Sequence, residues 1–175
     1  MNYQRYLVFL GDSLTQWFDW GRRFPDYRVT NLGISGETVE GLLERRDRIR
    51  SQIESPDFVF LMTGINNMAN GQYDIIAPYN EIVRNLTTWY KQARIVVQSI
   101  LPVELSWVEN SVIEETNCQL EKVAREHDAE YLDIYISFVD AAGKTEREYL
   151  SDDGVHLASR GYEVWANEVE KFLKG

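Results

Sequence analysis

Two histidines, one cysteine and a serine that follows an apolar run set the chemistry open to this chain of 175 residues. His156 lies in Ser151-Asp152-Asp153-Gly154-Val155-His156-Leu157, close behind two carboxylates. Imidazole titrates near neutrality, so it is the base that a hydroxyl nucleophile needs. Ser13 lies in Gly11-Asp12-Ser13-Leu14-Thr15, directly after the apolar run Tyr6 to Leu10. A serine hydrolase built from this chain must take its base from His156 or His127. His127 lies in Glu126-His127-Asp128, at the end of a helical pattern, where a basic side chain ordinarily meets the last carbonyls of a helix. Taken alone, Gly-Asp-Ser is also a turn that ends a strand, and His156 is also a buried histidine after a turn. The single cysteine, Cys118, excludes an intrachain disulfide framework and a multi-cysteine metal site. It falls within a helical pattern and is expected to be a small buried apolar residue.

Acyl transfer needs donors aimed at the oxygen that becomes negative. A glycine lets its backbone N–H come close to a ligand, and Gly33 ends the run Asn31-Leu32-Gly33. A side-chain amide offers a second donor, and Asn66 stands two residues beyond Gly64. Singly, these are a strand-ending glycine and a turn asparagine. Together at successive strand ends they form a constellation.

The elements that must position these residues alternate. Strands are predicted at Tyr6 to Leu10, Arg28 to Leu32, Asp57 to Thr63, Arg94 to Gln98 and Glu130 to Ile134. Their apolar runs are continuous, as in parallel strands buried on both faces. Helical stripes lie between: Val39, Leu42, Leu43, Ile49 and Ile53, with Ser35 or Gly36 as cap; Ile75 to Tyr90; Val112, Ile113, Leu120, Val123 and Ala124; and Tyr162 to Leu173. This order predicts an α/β fold, a three-layer α/β/α sandwich on a five-stranded parallel sheet with right-handed crossovers. Ligands bind such sheets beyond the carboxyl ends of the strands. The segments that follow the strands are Gly11-Asp12-Ser13, Gly33-Ile34-Ser35-Gly36, Gly64-Ile65-Asn66-Asn67 and Leu101-Pro102.

Composition removes other classes. The residues are 44% hydrophobic and 26% charged, which is globular. No linker, repeat or low-complexity tract interrupts them, so residues 1–175 are read as one domain. A net charge of −10 opposes nucleic acid and anionic membranes as partners. The arginines Arg45, Arg46, Arg48 and Arg50 are interleaved with Glu40, Glu44, Asp47 and Glu54, and read as a solvated, ion-paired helix face. The opening residues precede only a four-residue apolar run, so no signal peptide or membrane insertion is expected and a cytoplasmic location follows. No glycine-rich phosphate loop follows the first strand and no acidic residue ends the third, which opposes a dinucleotide, phosphate-binding or receiver-like domain.

The chain resembles the SGNH hydrolase superfamily, the GDSL-type esterases and lipases. Four separated motifs carry the resemblance across nearly the whole chain: Gly11-Asp12-Ser13-Leu14, Asn31-Leu32-Gly33-Ile34-Ser35-Gly36, Gly64-Ile65-Asn66-Asn67 and Asp153-Gly154-Val155-His156. The resemblance implies a flavodoxin-like sheet and a serine esterase with Ser13 as nucleophile, His156 as base and Asp153, rather than Asp152, as its orienting acid. It implies an oxyanion hole of the Ser13 and Gly33 N–H groups with the Asn66 amide, and no metal or organic cofactor. Asn67 stands where the family usually has aspartate. Asparagine there, with Ser35-Gly36-Glu37-Thr38 and Gly161-Tyr162-Glu163-Val164-Trp165, is similar to the branch of platelet-activating-factor acetylhydrolase.

The expected partner is a small ester, with Leu14, Trp17, Asn67, Leu101 and Leu157 as substrate contacts. So short a chain leaves no residues for a large lid, which predicts an open cleft and short acyl groups such as acetyl. Trp17, Phe18 and Trp20 either line that cleft or pack a loop against the sheet. Trp107 is a weaker cleft residue, and Trp165 is core. Rival readings are a lysophospholipase or thioesterase with longer acyl preference, and a carbohydrate- or ester-binding module that has lost turnover.

Overall fold

The computed structural model describes residues 4–175. In chain order the elements are β1 (Tyr6–Gly11), α1 (Ser13–Gln16), α2 (Trp20–Arg23), β2 (Arg28–Gly33), α3 (Val39–Glu44), α4 (Arg46–Gln52), β3 (Phe58–Met62), α5 (Ile65–Ala69), α6 (Ile76–Trp89), β4 (Arg94–Gln98), α7 (Asn110–Glu126), β5 (Glu130–Leu132) and α8 (Ser159–Lys174), with 3-10 turns at Tyr135–Phe138 and Arg147–Tyr149. The strands form one parallel sheet in the order β2-β1-β3-β4-β5. Every strand therefore delivers its carboxyl end to the same edge. β1 and β3 are buried along their whole length, which explains their unbroken apolar sequences.

Helices cover both faces. Phe9 of β1 stacks on Phe60 of β3 at 5.1 Å and on Trp20 of α2 at 4.0 Å. Trp165 of α8 meets Trp20 edge-on at 4.8 Å, and its Nε1 donates to Gln98 Oε1 at 2.8 Å. On the other face α6 lies against α3 and α7. The result is the expected three-layer α/β/α arrangement. Among the described residues no helix is long and apolar enough to cross a membrane.

Three local expectations change. The Val39–Ile53 stripe is two helices, broken at Arg45, and its cap is Thr38 rather than Ser35 or Gly36. Residues 34–37 form a turn, closed by the Glu37 N–H donating to Ile34 O, with Gly36 at φ +76°, so the helix cannot begin there. β5 stops at Leu132 because Ser99 Oγ accepts from the Ile134 and Tyr135 N–H groups, both at 2.8 Å, and starts a 3-10 turn. Cys118 is exposed, not buried. The inner face of α7 carries Ile113, Thr116, Asn117, Leu120, Val123 and Ala124, which leaves Cys118 one step off the stripe. Asn117 is buried because its amide pairs with Ile100 N and O at 2.8 and 2.9 Å, just beyond β4.

Candidate active site

Gly11 ends β1 and the chain turns at once into α1. Asp12 caps that helix, its Oδ1 accepting from Leu14 N at 3.0 Å. Ser13 is thereby the first helical residue, so its N–H has no carbonyl of the helix to bond. Its side chain lies at the sheet edge and is nearly buried.

The partner comes from the loop before α8. Asp153 Oδ1 accepts from the Val155 and His156 N–H groups, each at 2.9 Å, folding the loop into a tight turn. Gly154 sits at φ +73°, and a Cβ there would come within 2.7 Å of Glu104 O, so only glycine fits. The turn leaves Asp153 Oδ2 2.6 Å from His156 Nδ1. His156 Nε2 is 3.0 Å from Ser13 Oγ. With Nδ1–H donated to the carboxylate, Nε2 is left to accept the hydroxyl proton. Partial burial opposes ionisation of Asp153, but the Val155 N–H, the His156 side chain and the His156 N–H outweigh it and hold its carboxyl down at about 2. Asp152 is fully exposed beside Arg147 and reaches neither Ser13 nor His156. His127 lies far along the chain fold, as the end cap of α7, with Nε2 3.0 Å from Asn80 Oδ1.

The expected oxyanion donors each have a partner within the protein. Gly33 must be glycine, since a Cβ would stand 2.5 Å from Gln16 N. Its N–H, however, already donates to Asn31 Oδ1 at 3.0 Å, and Asn31 Nδ2 donates to Thr15 O at 2.9 Å. Asn66 Nδ2 donates one hydrogen to Glu37 O at 2.9 Å, which leaves its second hydrogen for a ligand.

The expected substrate contacts divide. Trp17 is more than half exposed and stacks on the His156 ring at 4.1 Å, its Nε1 donating to Ser35 Oγ at 2.9 Å. Leu14, Leu101 and Leu157 are buried. Asn67 is fully buried, its Oδ1 accepting from Val39 N at 2.9 Å and its Nδ2 donating to Glu40 Oε2 at 2.8 Å. An aspartate at 67 would set a second carboxylate against Glu40, and the amide replaces that repulsion with a hydrogen bond. Trp20 and Phe18 pack inward, Trp20 on Phe9 and Phe18 on Tyr162 at 4.9 Å. Trp107 is exposed, its Nε1 donating to Ala69 O. Composition and periodicity left Gln16 unnoticed, which accepts from Ser35 N at 2.7 Å; Arg45, expected on a solvated helix face, instead turns inward and pairs with Glu37. Among the described residues no three His, Cys, Asp or Glu side chains are grouped as metal ligands would be.

Asp12 carries a charge question of its own. Its Oδ2 is buried without a partner among the described residues. Burial first, and the nearby Glu37 charge second, outweigh the Leu14 N–H and push its carboxyl up to about 7. A folded state that holds its proton longer than the unfolded chain loses stability as pH rises through that window, from about 4 to about 7. Asp12→Asn keeps the capping oxygen and cannot ionise. Its unfolding free energy, measured against the wild type from pH 4 to pH 8, should gain on the wild type as pH rises, by at most roughly 1.4 kcal/mol per pH unit. A difference that stays flat over this range would rule out a buried carboxyl that titrates near neutrality.

The chain is similar to known proteins over most of its length. The profile of the GDSL-like Lipase/Acylhydrolase family matches residues 9–164. Platelet-activating factor acetylhydrolase IB subunit alpha1 of Rattus norvegicus is 27% identical over 165 residues, covering 89% of this chain and 69% of that protein. Two solved structures share the fold. One, described as a platelet activating factor from Streptococcus pneumonia, superposes with a TM-score of 0.87 at 23% identity, covering 98% of this chain and 85% of the other. The other, a catalytic mutant of the acetylxylan esterase Axe2 from Geobacillus stearothermophilus, gives 0.78 at 20% identity, covering 98% and 95%.

Proposed function

The chain belongs to the GDSL-like lipase/acylhydrolase family and is an ester hydrolase; on that premise we propose that it is a serine esterase acting on short acyl esters, with Ser13, His156 and Asp153 as its triad. The observation that carries this reading is the unbroken line of hydrogen bonds from Ser13 Oγ through His156 to Asp153, at 3.0 and 2.6 Å.

Ser13 Oγ attacks the ester carbonyl carbon while its proton passes to His156 Nε2. The carbonyl π electrons move to oxygen, and that oxyanion accepts from the Ser13 N–H and the second Asn66 Nδ2 hydrogen. The Gly33 N–H joins them by sharing or leaving Asn31 Oδ1. Ionised Asp153 stabilises the imidazolium. The tetrahedral adduct collapses, the ester C–O bond breaks, and the departing alkoxide takes the proton from His156. A water, deprotonated by His156, then attacks the acyl carbon, and a second collapse frees the carboxylic acid and Ser13. No step draws on a cofactor. Trp17, lying flat on the imidazole, narrows the approach to Ser13 from one side and supports a small acyl group. The name of the acetylhydrolase relative is consistent with that size.

The test is direct. A fluorophosphonate should label Ser13, located by mass spectrometry, and kcat/KM on p-nitrophenyl acetate and butyrate should exceed that on octanoate and palmitate. A folded protein that resists labelling would be a binding module and not a serine esterase. A preference for octanoate or palmitate would keep the triad and reject the short acyl group.

A further inference from the structure

The Glu37–Arg45 pair is the least exposed ion pair among the described residues, with 13% of the Arg45 side chain and 7% of the Glu37 side chain accessible. Arg45 Nε lies 2.5 Å from Glu37 Oε1, and Nη2 lies 2.6 Å from Oε2, the bidentate fork that suits guanidinium and carboxylate. The other hydrogen of Nη2 goes to Leu32 O at 2.7 Å. That carbonyl belongs to the same planar peptide unit as the Gly33 N–H. Fixing Leu32 O therefore fixes the direction in which the Gly33 N–H points. The other end of the pair acts in the same way on the second donor, because Glu37 O is the acceptor that orients the Asn66 amide. Both donors are thus linked to one guanidinium, the first through Leu32 O and the second through Glu37.

We propose that Arg45 and Glu37 are positioning residues for the oxyanion site, a buried clamp that holds the Gly33 N–H and the Asn66 amide in one fixed relation. The proposal rests on reading Gly33 and Asn66 as oxyanion donors. Preorganised donors stabilise the transition state because they need no reorientation when charge develops. Loosening the clamp should therefore act on the chemical step and leave substrate binding almost intact. It also accounts for the break between α3 and α4: the residue at the junction turns its side chain back to β2 instead of continuing the exposed arginine face.

Arg45→Lys keeps the charge but cannot make the fork and reach Leu32 O together. On p-nitrophenyl acetate it should lower kcat by about ten- to a hundredfold, the range for a small misplacement of catalytic groups, with KM within about twofold. Glu37→Gln, which keeps the size of the side chain but sets an NH₂ donor against one guanidinium N–H and so breaks half of the fork, is the companion variant should Arg45→Lys fail to fold. It should lower kcat in the same direction by a smaller factor. The decisive readout is a cycle with Asn66→Ala. If the clamp works through the donors, either substitution should cost several times less in the Asn66→Ala background than in the wild type. A normal kcat in folded Arg45→Lys and Glu37→Gln, or losses that simply multiply with that of Asn66→Ala, would overturn the clamp and leave the oxyanion reading standing. A normal kcat in Asn66→Ala would overturn the oxyanion reading, and the clamp with it.

Discussion

Ser13→Ala should lower kcat/KM on p-nitrophenyl acetate by about 10⁴- to 10⁶-fold, since a triad that loses its nucleophile keeps only what its donors and binding can supply. The residual rate would come from His156 activating water beside the oxyanion donors. The substitution removes a hydroxyl whose side-chain partner is His156 Nε2, so the fold should lose little. The unfolding midpoint should stay within a few degrees of the wild type, which separates loss of chemistry from loss of structure. Because the three residues act as a unit, adding His156→Ala to Ser13→Ala should cost far less than either change costs alone. Turnover within tenfold of the wild type would remove Ser13 as nucleophile whatever its distance from the imidazole. A strictly multiplicative double loss would mean that Ser13 and His156 serve separate steps.

What the sequence makes legible depends on whether a residue's role is written in its own neighbourhood. The inner residues of β4 and β3 are readable from the sequence, because strands buried on both faces must be apolar there. The edge strand β5 is shorter than its predicted run, since a serine hydroxyl from another loop takes the amides of Ile134 and Tyr135. Nothing near Ile134 could announce Ser99. The same holds at the site. Ser13, His156 and Asp153 stand out because histidine is scarce and the motif places the acid three residues before it. Asn31 as acceptor for Gly33, Glu40 as partner of Asn67 and Arg45 as partner of Leu32 are meetings between segments that periodicity cannot report. The alternation of β and α elements places residues on the same edge. Which amide then meets which carbonyl depends on side-chain reach across that edge.

Asp153→Asn should cost about 10⁴-fold in kcat/KM with the loop still folded, an effect of tautomer and not of charge alone. Asp153 Oδ1 holds two backbone N–H groups and Oδ2 faces His156 Nδ1. An asparagine that keeps its oxygen on the two N–H groups must turn its NH₂ toward Nδ1. Nδ1 then becomes the acceptor, the ring proton moves to Nε2, and Nε2 can no longer take the proton of Ser13 Oγ. The reverse orientation restores the tautomer but sets a donor against two donors and opens the turn. Stability responds with its own sign. The folded carboxyl is held at about 2, below its ordinary 3.8, so its stabilisation is complete above pH 4 and is lost as pH falls toward 2. Since half the side chain is exposed, that stabilisation is on the order of 1 kcal/mol after solvent screening. At pH 7.5 the variant should therefore be folded, slightly less stable and nearly inactive. Asp152→Asn, measured beside it, should turn over normally, because that carboxylate lies in solvent. If the loss appeared in Asp152→Asn instead, the orienting acid would be Asp152, and the hydrogen bond to Asp153 would belong to the loop alone.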